Sequence, residues 1–296
     1  MIEVRATRIP PGRYVSLGQN NDLAPMEWSN GMQVLLCDRY SRVVAPAGMV
    51  GLWCPLSSGI WVESLGSRTF IKKGNGYTSD AEYAHEVSMP IHGSSIAILA
   101  RHAVWAQLMA RFSDDVSQLP VIFPASHAMP ISVRLALLRL ARSALESADS
   151  TEKWIGDQFG QVMVQLQQSF SPMIQRCPGS SAARKRQIFA RLQRVRHLIQ
   201  TSPAKDIDIA TLAILANYSP NQLIKLFNRV FGETPYFSLV RTRIEFARRL
   251  ISETNMDISE VSRASGFENR TSFARDFKIH SGSTATSFRY AARRAC

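Results

Sequence analysis

The sequence predicts an α+β protein of two domains, in which a β-barrel or sandwich with a helical hairpin precedes an all-α domain with two helix-turn-helix motifs. Short β-rich runs separated by turn residues fill roughly residues 10–125. Apolar residues then recur at helical spacing, beginning at Ile131. Residues 184–296 contain one helix-turn-helix pattern twice. Together these three observations define the predicted architecture.

The positive charge of the chain is concentrated in its C-terminal part. The formal net charge is +12, and residues 184–296 hold 20 Lys and Arg against 9 Asp and Glu. A nearly neutral domain joined to a basic one indicates that the basic domain binds a polyanion. The run that begins Cys177-Pro-Gly-Ser-Ser has the composition of a flexible linker. We therefore predict domains at 1–176 and 184–296, joined by a linker at 177–183.

The N-terminal domain is predicted to combine short strands with a helical hairpin. Turn-forming residues separate the strands at the spacing expected of an antiparallel sandwich or barrel. Apolar residues at helical spacing then predict two helices within about 131–170, whose apolar stripes must be covered by the barrel or by a partner subunit. The β-rich runs are Val34–Leu36, Val50–Trp53, Ile60–Val62, Thr69–Ile71 and Ser95–Leu99.

Several classes of protein are disfavoured by the sequence. The histidines and the glutamate that come closest to a metal-ligand set do not have the His-x-His-plus-Glu spacing of a metal cupin, so we expect no metal, no cofactor and no enzymatic activity. We also expect a cytoplasmic protein with no membrane span, because no run approaches the ~18 apolar residues required and the N-terminal residues lack the apolar core of a signal peptide. The residues considered as ligands are His85, Glu86, His92 and His102.

Cysteine usage gives no sign of a disulfide framework. The four thiols are scattered, without close pairing or metal-ligand spacing, which fits a reducing compartment. They are Cys37, Cys54, Cys177 and Cys296.

Each copy of the repeated motif has the residues that a helix-turn-helix unit requires. Asn217 and Gly266 stand at the two turns, where a residue that tolerates left-handed backbone angles is needed. Ser219, followed by Pro220, is a good N-cap for the second helix of the first copy, and Asn269 suits the second copy. The second helices are therefore expected at 220–231 and 269–280.

One face of each second helix is apolar and the other is polar. Leu223 and Phe227 lie four residues apart and anchor the first of these helices, and Phe273 and Phe277 anchor the second. Between the copies, Pro235–Glu253 reads as a single helix of roughly 27 Å at ~1.5 Å per residue. Adjacent major-groove segments on one face of DNA lie about 34 Å apart. Such a strut can place both second helices in adjacent major grooves of double-stranded DNA.

From about Arg184 to Arg289, the chain resembles the DNA-binding domain of the AraC/XylS family of bacterial transcription regulators. The departures are small: Ala285 stands where the family usually has Pro, Phe288 where it often has Tyr, and Ser262 where Ala is usual. The residues that carry the resemblance are Leu212-Ala213, Ser219-Pro220, Leu223, Phe227, Phe231-Gly232, Thr234-Pro235, Arg243, Ala247, Leu250-Ile251, Ile258, Val261, Gly266-Phe267, Phe273, Phe277-Lys278, Gly282 and Phe288-Arg289.

The stretch from Leu65 to Gly74, with His85–Val87 and Leu99–Arg101, is similar to the cupin-like sensor domain of the same family. The resemblance implies a sequence-specific transcription regulator, an activator that responds to a small-molecule effector held in a cupin-like barrel. It also implies a homodimer formed through the helices that follow the barrel, and RNA polymerase as a partner.

By position, the resemblance also assigns the residues that contact DNA. Arg and Lys suit guanine, Asn suits adenine, and Ile or Ala suits a thymine methyl group. The residues expected to read bases are Asn221, Ile224, Lys225, Arg270, Thr271, Ala274 and Arg275. Those expected to contact phosphates, which position the protein without specifying sequence, are Ser219, Arg229 and Lys278.

Two alternatives remain beside the regulator. One is an architectural DNA-binding protein without sequence preference, which would need mainly phosphate contacts. The other is a cupin-type metalloenzyme fused to a DNA-binding domain, which metal analysis would reveal. The mixed chemistry of the predicted reading faces favours a sequence-specific regulator over the first alternative.

Overall fold

The computed structural model divides into two compact units, Met1–Ala190 and Arg191–Cys296. The predicted limits of the two domains and of the linker between them stay predictions. Cys296 lies outside the described residues, which are 2–17, 31–112, 121–146, 152–204 and 206–294.

The N-terminal unit is built on two β-sheets. One has six strands in the order β1-β3-β10-β5-β8-β11, and the other has five in the order β2-β4-β9-β6-β7. The strands are β1 (Glu3–Ile9), β2 (Tyr14–Ser16), β3 (Gly31–Cys37), β4 (Arg42–Ala45), β5 (Met49–Pro55), β6 (Gly59–Ser64), β7 (Ser67–Lys72), β8 (Asn75–Thr78), β9 (His85–Ser88), β10 (Ser95–Arg101) and β11 (Ala125–Ala128).

Strand direction departs in part from the antiparallel arrangement that the sequence predicts. Strand β1 pairs with β3, and β2 with β4, in parallel. Alternation of apolar and polar residues indicates which face of a strand is buried, but it carries no information on whether the neighbouring strand runs parallel or antiparallel. The sequence therefore does not predict the two parallel pairs. Among the described strands, no pairing joins the two sheets. The unit is therefore a mixed-sheet structure in which a closed, cupin-like barrel stays a prediction.

Both sheets contribute to one apolar core. Trp53 and Leu99 of the six-stranded sheet and Ile60 and Val87 of the five-stranded sheet belong to it, and all four side chains are buried. Gly51 makes room for the indole, because a Cβ added there would lie 2.5 Å from Trp53 Nε1. The large Trp53 side chain and the missing side chain at Gly51 are thus complementary.

A second apolar core lies between the six-stranded sheet and helices of the same unit. The helices that form this core are α1 (His102–Ala110), α2 (Ile131–Glu146) and α3 (Glu152–Gln168), and a short helix without buried residues, α4 (Ser171–Arg176), follows α3. The sequence prediction of β structure up to about residue 125 is wrong at α1. This helix follows β10 directly and is buried on several sides, through Val104, Trp105, Ala106, Leu108 and Met109. Its apolar residues therefore show no helical period.

The two helices of the predicted hairpin differ in what they bury. Helix α3 buries Ile155, Phe159 and Met163, so its apolar stripe is covered within the unit. Helix α2 buries Leu137, Leu140 and Ala141 instead of the stripe that begins at Ile131. The outward-facing residues of that stripe are Ile131, 66% exposed, Leu135, 46% exposed, and Leu145, 39% exposed.

The C-terminal unit is helical, and one long helix contacts most of its other helices. Helix α8 contacts α7, α9, α10 and α11. The predicted bounds 220–231 and 235–253 are confirmed, the helix predicted at 269–280 begins one residue later, and the sequence predicts no counterpart of α11. The helices are α5 (Ala182–Thr201), which contains the division between the units, α6 (Ile209–Ala216), α7 (Pro220–Phe231), α8 (Pro235–Glu253), α9 (Ile258–Ala264), α10 (Arg270–Ser281) and α11 (Ala285–Arg294).

Two buried histidines of the N-terminal unit are held in neutral environments. Trp53 Nε1 donates to His85 Nε2 at 3.3 Å, and His127 Nε2 lies 3.0 Å from Thr78 Oγ1. Burial lowers the pKa of each imidazole from 6.5 to about 4. Between about pH 4 and 6.5, each of these imidazoles is therefore neutral in the folded unit, whereas in the unfolded chain it binds a proton.

Acidification should destabilise the N-terminal unit. The stability contributed by the two neutral imidazoles is complete above about pH 6.5 and is lost as the pH falls towards 4, by about 2 kcal/mol for each histidine at pH 5. Urea unfolding followed by tryptophan fluorescence measures this unit alone, because all five tryptophans precede residue 191. His127→Gln should reduce the loss between pH 7.5 and 5, and His92→Gln, at an exposed position, should not. An unchanged unfolding midpoint between these pH values would contradict the prediction.

Candidate nucleic-acid interface

The first helix-turn-helix unit is defined by caps encoded in its own sequence. Asp208 caps α6 by accepting the Thr211 N–H at 2.7 Å. Asn217 ends that helix in the left-handed region, with φ of 54°. Ser219 then opens α7 in a capping box, in which its Oγ accepts from Gln222 N at 3.3 Å and its N–H donates to Gln222 Oε1 at 3.2 Å. These local bonds fix where each helix begins and ends.

The second unit repeats this arrangement with different residues. Asp257 and Glu260 form the capping box of α9, and Asn269 caps α10 by accepting the Ser272 N–H at 2.8 Å. Gly266 takes the left-handed position, with φ of 87°. A Cβ at Gly266 would lie 2.7 Å from the Pro203 carbonyl oxygen, so the turn requires glycine for both its backbone angle and its close approach.

Aromatic and aliphatic anchors hold the second helix of each unit in place. Leu223 and Phe227 of α7 are buried, as are Phe273 and Phe277 of α10. In the second unit, Phe277 also packs edge-on against Phe288, with ring centroids 5.8 Å apart. The predicted anchoring faces are therefore confirmed, and the opposite faces of α7 and α10 point away from the core.

Polar contacts join α8 to two neighbouring segments of the chain. Arg241 donates to the two carboxylate oxygens of Glu233, at 3.3 and 2.9 Å, and joins α8 to the turn after α7. Burial would raise the pKa of the Glu233 carboxyl, but hydrogen bonds from Arg241 and Ser238 hold the pKa below its usual value. Arg243 donates from Nε to the Pro203 carbonyl at 2.8 Å, next to the Gly266 turn.

Helix α5 contacts the first helix-turn-helix motif of the C-terminal unit through cation–π interactions. The Arg196 guanidinium lies 4.8 Å from the Phe231 ring centroid, and the Arg191 guanidinium lies 5.5 Å from that of Tyr218. Both contacts involve residues adjacent to a turn, Phe231 before Gly232 and Tyr218 after Asn217, and each adds an attraction between α5 and the first motif.

Every residue predicted to contact DNA is exposed. Seven were expected to read bases and three to contact phosphates, and each group includes residues of both second helices or their caps. In the first unit they are Ser219, Asn221, Ile224, Lys225 and Arg229, and in the second unit Arg270, Thr271, Ala274, Arg275 and Lys278. Their roles towards DNA stay predictions.

Two of these residues also make contacts within the protein. Ser219 Oγ belongs to the capping box, where it acts as an acceptor, so its hydroxyl hydrogen is compatible with a phosphate contact. Arg275 donates from Nε to Asp276 Oδ1 at 3.0 Å, and this ion pair raises the pKa of the exposed guanidinium. The buried Asp276 carboxylate therefore helps to orient Arg275 on the polar face of α10.

Sequence analysis does not identify the exposed aromatic residues that lie between the two helix-turn-helix motifs. Tyr236 is 66% exposed and Phe237 47% exposed, both in the first turn of α8. The available signal was the pair of adjacent aromatic residues after Thr234-Pro235, in the first turn of the predicted helix.

The structure does not bring the considered metal ligands together. Within the described residues, no group of three His, Cys, Asp or Glu side chains is arranged to hold a metal ion. Burial raises the pKa of the Cys37 thiol to about 12 and that of the Cys54 thiol to about 11, so neither is a thiolate near neutral pH. Of the described helices, none has the length and apolar character needed to cross a membrane.

Comparison with known proteins yields matches for the helical unit. Residues 212–291 match a family model described as a helix-turn-helix domain. The probable transcriptional regulator LumQ of Photobacterium leiognathi is 30% identical over 86 residues, 29% of this chain and 35% of that protein. The arabinose operon regulatory protein of Escherichia coli is 34% identical over 84 residues, 28% of this chain and 29% of that protein. The match thus spans about a third of these relatives' length.

Among solved structures, the DNA-binding domain of the global transcriptional factor AdpA, in complex with a target DNA, aligns with 35% of this chain. The alignment covers 94% of that chain at 25% identity, with a TM-score of 0.34.

Two glycines with left-handed backbone angles, Gly266 and Gly282, allow a matched test of the close packing at the turn of the second helix-turn-helix motif. Gly282→Ala should cost roughly 1–2 kcal/mol, because φ is 70° but no atom lies within 4 Å of the added Cβ. Gly266→Ala should cost more, since its Cβ would also collide with the Pro203 carbonyl. Thermal unfolding followed by helical circular dichroism compares the two variants. Equal losses would show that the close approach at Gly266 is unimportant.

Proposed function

Since residues 212–291 belong to the AraC-type family of helix-turn-helix domains, we propose that the chain is a sequence-specific DNA-binding transcription regulator. The observation that carries the proposal is the pair of capped helices, α7 and α10, whose polar faces are exposed, whose apolar residues are buried and which both contact α8. Each helix can enter a major groove of double-stranded DNA. Helix α8, with 19 residues, is roughly 28 Å long and connects the two helix-turn-helix motifs.

The chemistry of the two exposed faces favours sequence-specific reading. Asn221 and Ile224 on α7, and Thr271 and Ala274 on α10, carry no charge and are suited to base edges and thymine methyl groups. A non-specific architectural protein would present mainly Lys and Arg to the phosphates. Lys225 and Arg270 add candidates for guanine contacts on the same faces. We therefore favour a regulator over an architectural protein.

The N-terminal unit is proposed to supply regulation. We propose a cupin-like sensor that binds a small-molecule effector, with activation of transcription through contact with RNA polymerase in the cytoplasm. Two β-sheets that share an apolar core support a sensor of this kind without identifying its ligand. Titrating candidate effectors into the full-length protein during DNA-binding measurements would test the proposal.

Substitutions on the two second helices should separate base contacts from phosphate contacts. Lys225→Ala and Arg270→Ala should each reduce discrimination at one half of the binding site, by roughly 1–3 kcal/mol per lost contact. Lys278→Ala should weaken binding evenly across sequences, because a phosphate contact carries no base information. Selection from a randomised DNA library, followed by affinity measurements on single-base variants, gives both quantities. Uniform losses for all three variants would favour the non-specific alternative.

The rigid connection through α8 predicts a fixed spacing between the two half-sites. Inserting about five base pairs between them rotates one half-site to the far face of the duplex, so joint engagement should be lost. An insertion of about ten base pairs restores the face but exceeds the reach of α8, so it should also bind weakly. Footprinting of the three DNA duplexes with the full-length chain tests this. Full protection of both halves after the five-base-pair insertion would rule out the tandem arrangement.

The exposed stripe of α2 leads us to propose a homodimer. Ile131 and Leu135 are both large, apolar and exposed, which is typical of a surface that is covered by another protein. Leu135→Asp should convert the dimer to a monomer, whereas Ala136→Asp, at an exposed position outside the stripe, should leave it intact. Sedimentation of the full-length variants at micromolar concentration distinguishes the two states. A wild-type monomer, or equal effects of the two substitutions, would refute the proposed interface.

A further inference from the structure

The C-terminal unit contains an apolar pocket next to α7, the first of the two helices proposed to contact DNA (α7 and α10, the DNA-facing helices). The pocket has a volume of about 510 Å³, within the ~300–1,000 Å³ range of small-molecule sites. Its apolar walls come from three places in the chain: the segment at the start of α6, helix α7 and the first turns of α8. They include Ile207, Leu212, Ile224 and Leu239.

The charges around this pocket are opposite to those of the unit as a whole. Asp206, Asp208 and Glu268 contribute three carboxylates, and Arg243 contributes one guanidinium. Arg243 interacts with Asp206 and Glu268, so one positive charge faces two of the three negative charges. The lining therefore has an excess of negative charge within a segment that holds 20 Lys and Arg against 9 Asp and Glu. This local reversal disfavours a DNA phosphate at the pocket.

We propose that the pocket binds a small apolar molecule that carries a single positive charge. The apolar body would replace water against Ile209, Ile224 and Tyr236, the wall residues that keep exposed apolar surface, and this burial gives the main driving force. The cationic group would lie at the rim, near the carboxylates of Asp206 and Glu268, where charge complementarity selects it over an anion of the same size. Its site is distinct from the sensor proposed for the N-terminal unit.

Occupation of the pocket is expected to weaken DNA binding. Ile224 contributes to the pocket wall and also lies on the exposed face of α7 that is proposed to read bases. A molecule that covers Ile224 removes its side chain from contact with a thymine methyl group. Helix α10 contributes no residue to the pocket wall, so the effect on DNA binding acts through α7. This effect on DNA rests on the proposed function, and by linkage DNA must weaken the ligand to the same degree.

Three probes with one apolar chain and different head groups test the site directly. Octylammonium, octanol and octanoate are titrated separately into the full-length protein by calorimetry, in the absence of DNA. Octylammonium should bind roughly tenfold more tightly than octanoate, with octanol between them. Equal binding of octylammonium and octanoate, or no saturable binding of octylammonium, would overturn the proposed site.

Neutral isosteres of the rim carboxylates locate the binding. Glu268→Gln and Asp206→Asn, both at exposed positions, should each weaken octylammonium binding roughly three- to tenfold and leave octanol unchanged. Glu253→Gln is the matched control, because Glu253 is an exposed carboxylate at the far end of α8 and does not line this pocket. Equal effects of Glu268→Gln and Glu253→Gln would overturn the assignment, since they would indicate only a change in net charge.

A DNA titration with and without octylammonium, fixed at a few times its dissociation constant for the wild type, tests the coupling. The dissociation constant for specific DNA should rise several-fold in the wild type, by a smaller factor in Glu268→Gln and by the wild-type factor in Glu253→Gln. An unchanged constant in the wild type would overturn the coupling. Because the calorimetric titration contains no DNA, a chain that binds octylammonium and no specific DNA would refute the proposed function and leave the pocket established.

Discussion

Burial of one face of α8 is the interaction on which the C-terminal unit depends. Val240, Ile244, Ala247 and Ile251 are buried along this helix and form one core with Phe273 and other residues of the second helix-turn-helix unit. The first unit contacts the same helix through α7. Because both units pack on one continuous helix, the rise per residue of that helix fixes their separation. The proposed spacing of DNA contacts is thus a consequence of packing and not of any contact with DNA.

The two copies of the motif differ at the turn because their surroundings differ. Asn217 meets the requirement for a left-handed backbone with a side chain present. At Gly266 the Pro203 carbonyl leaves no room for a Cβ, and Arg243 binds that same carbonyl. The contact between the start of the unit and the second turn therefore requires glycine there. Both copies of the motif thus have a left-handed residue at the turn, and the atoms that surround each turn determine whether that residue can have a side chain.

Local signals account for what the sequence predicts well. The bounds of α7 and α8 follow from Ser219, Thr234 and the prolines after them, because caps act within one helical turn. Helix α1 and the parallel strand pairs were not predicted, since their form is set by burial and by partners distant in sequence. The exposure of the predicted DNA contacts follows from helical periodicity. The pocket could not be predicted, because its wall joins Ile207, Ile224 and Glu268, which only the folded chain brings together.

The carboxylates of the C-terminal unit are used mainly inside its own structure. Asp208 and Asp257 cap helices, Glu233 pairs with Arg241, and Asp276 pairs with Arg275. Helix α7 contains no carboxylate, and the single one in α10 is buried. Acidic side chains of α7 and α10 therefore offset the positive charge of these two helices at Arg275 only. A polyanion can then replace counterions along these faces, while the acidic pocket remains a separate environment for a ligand of opposite charge.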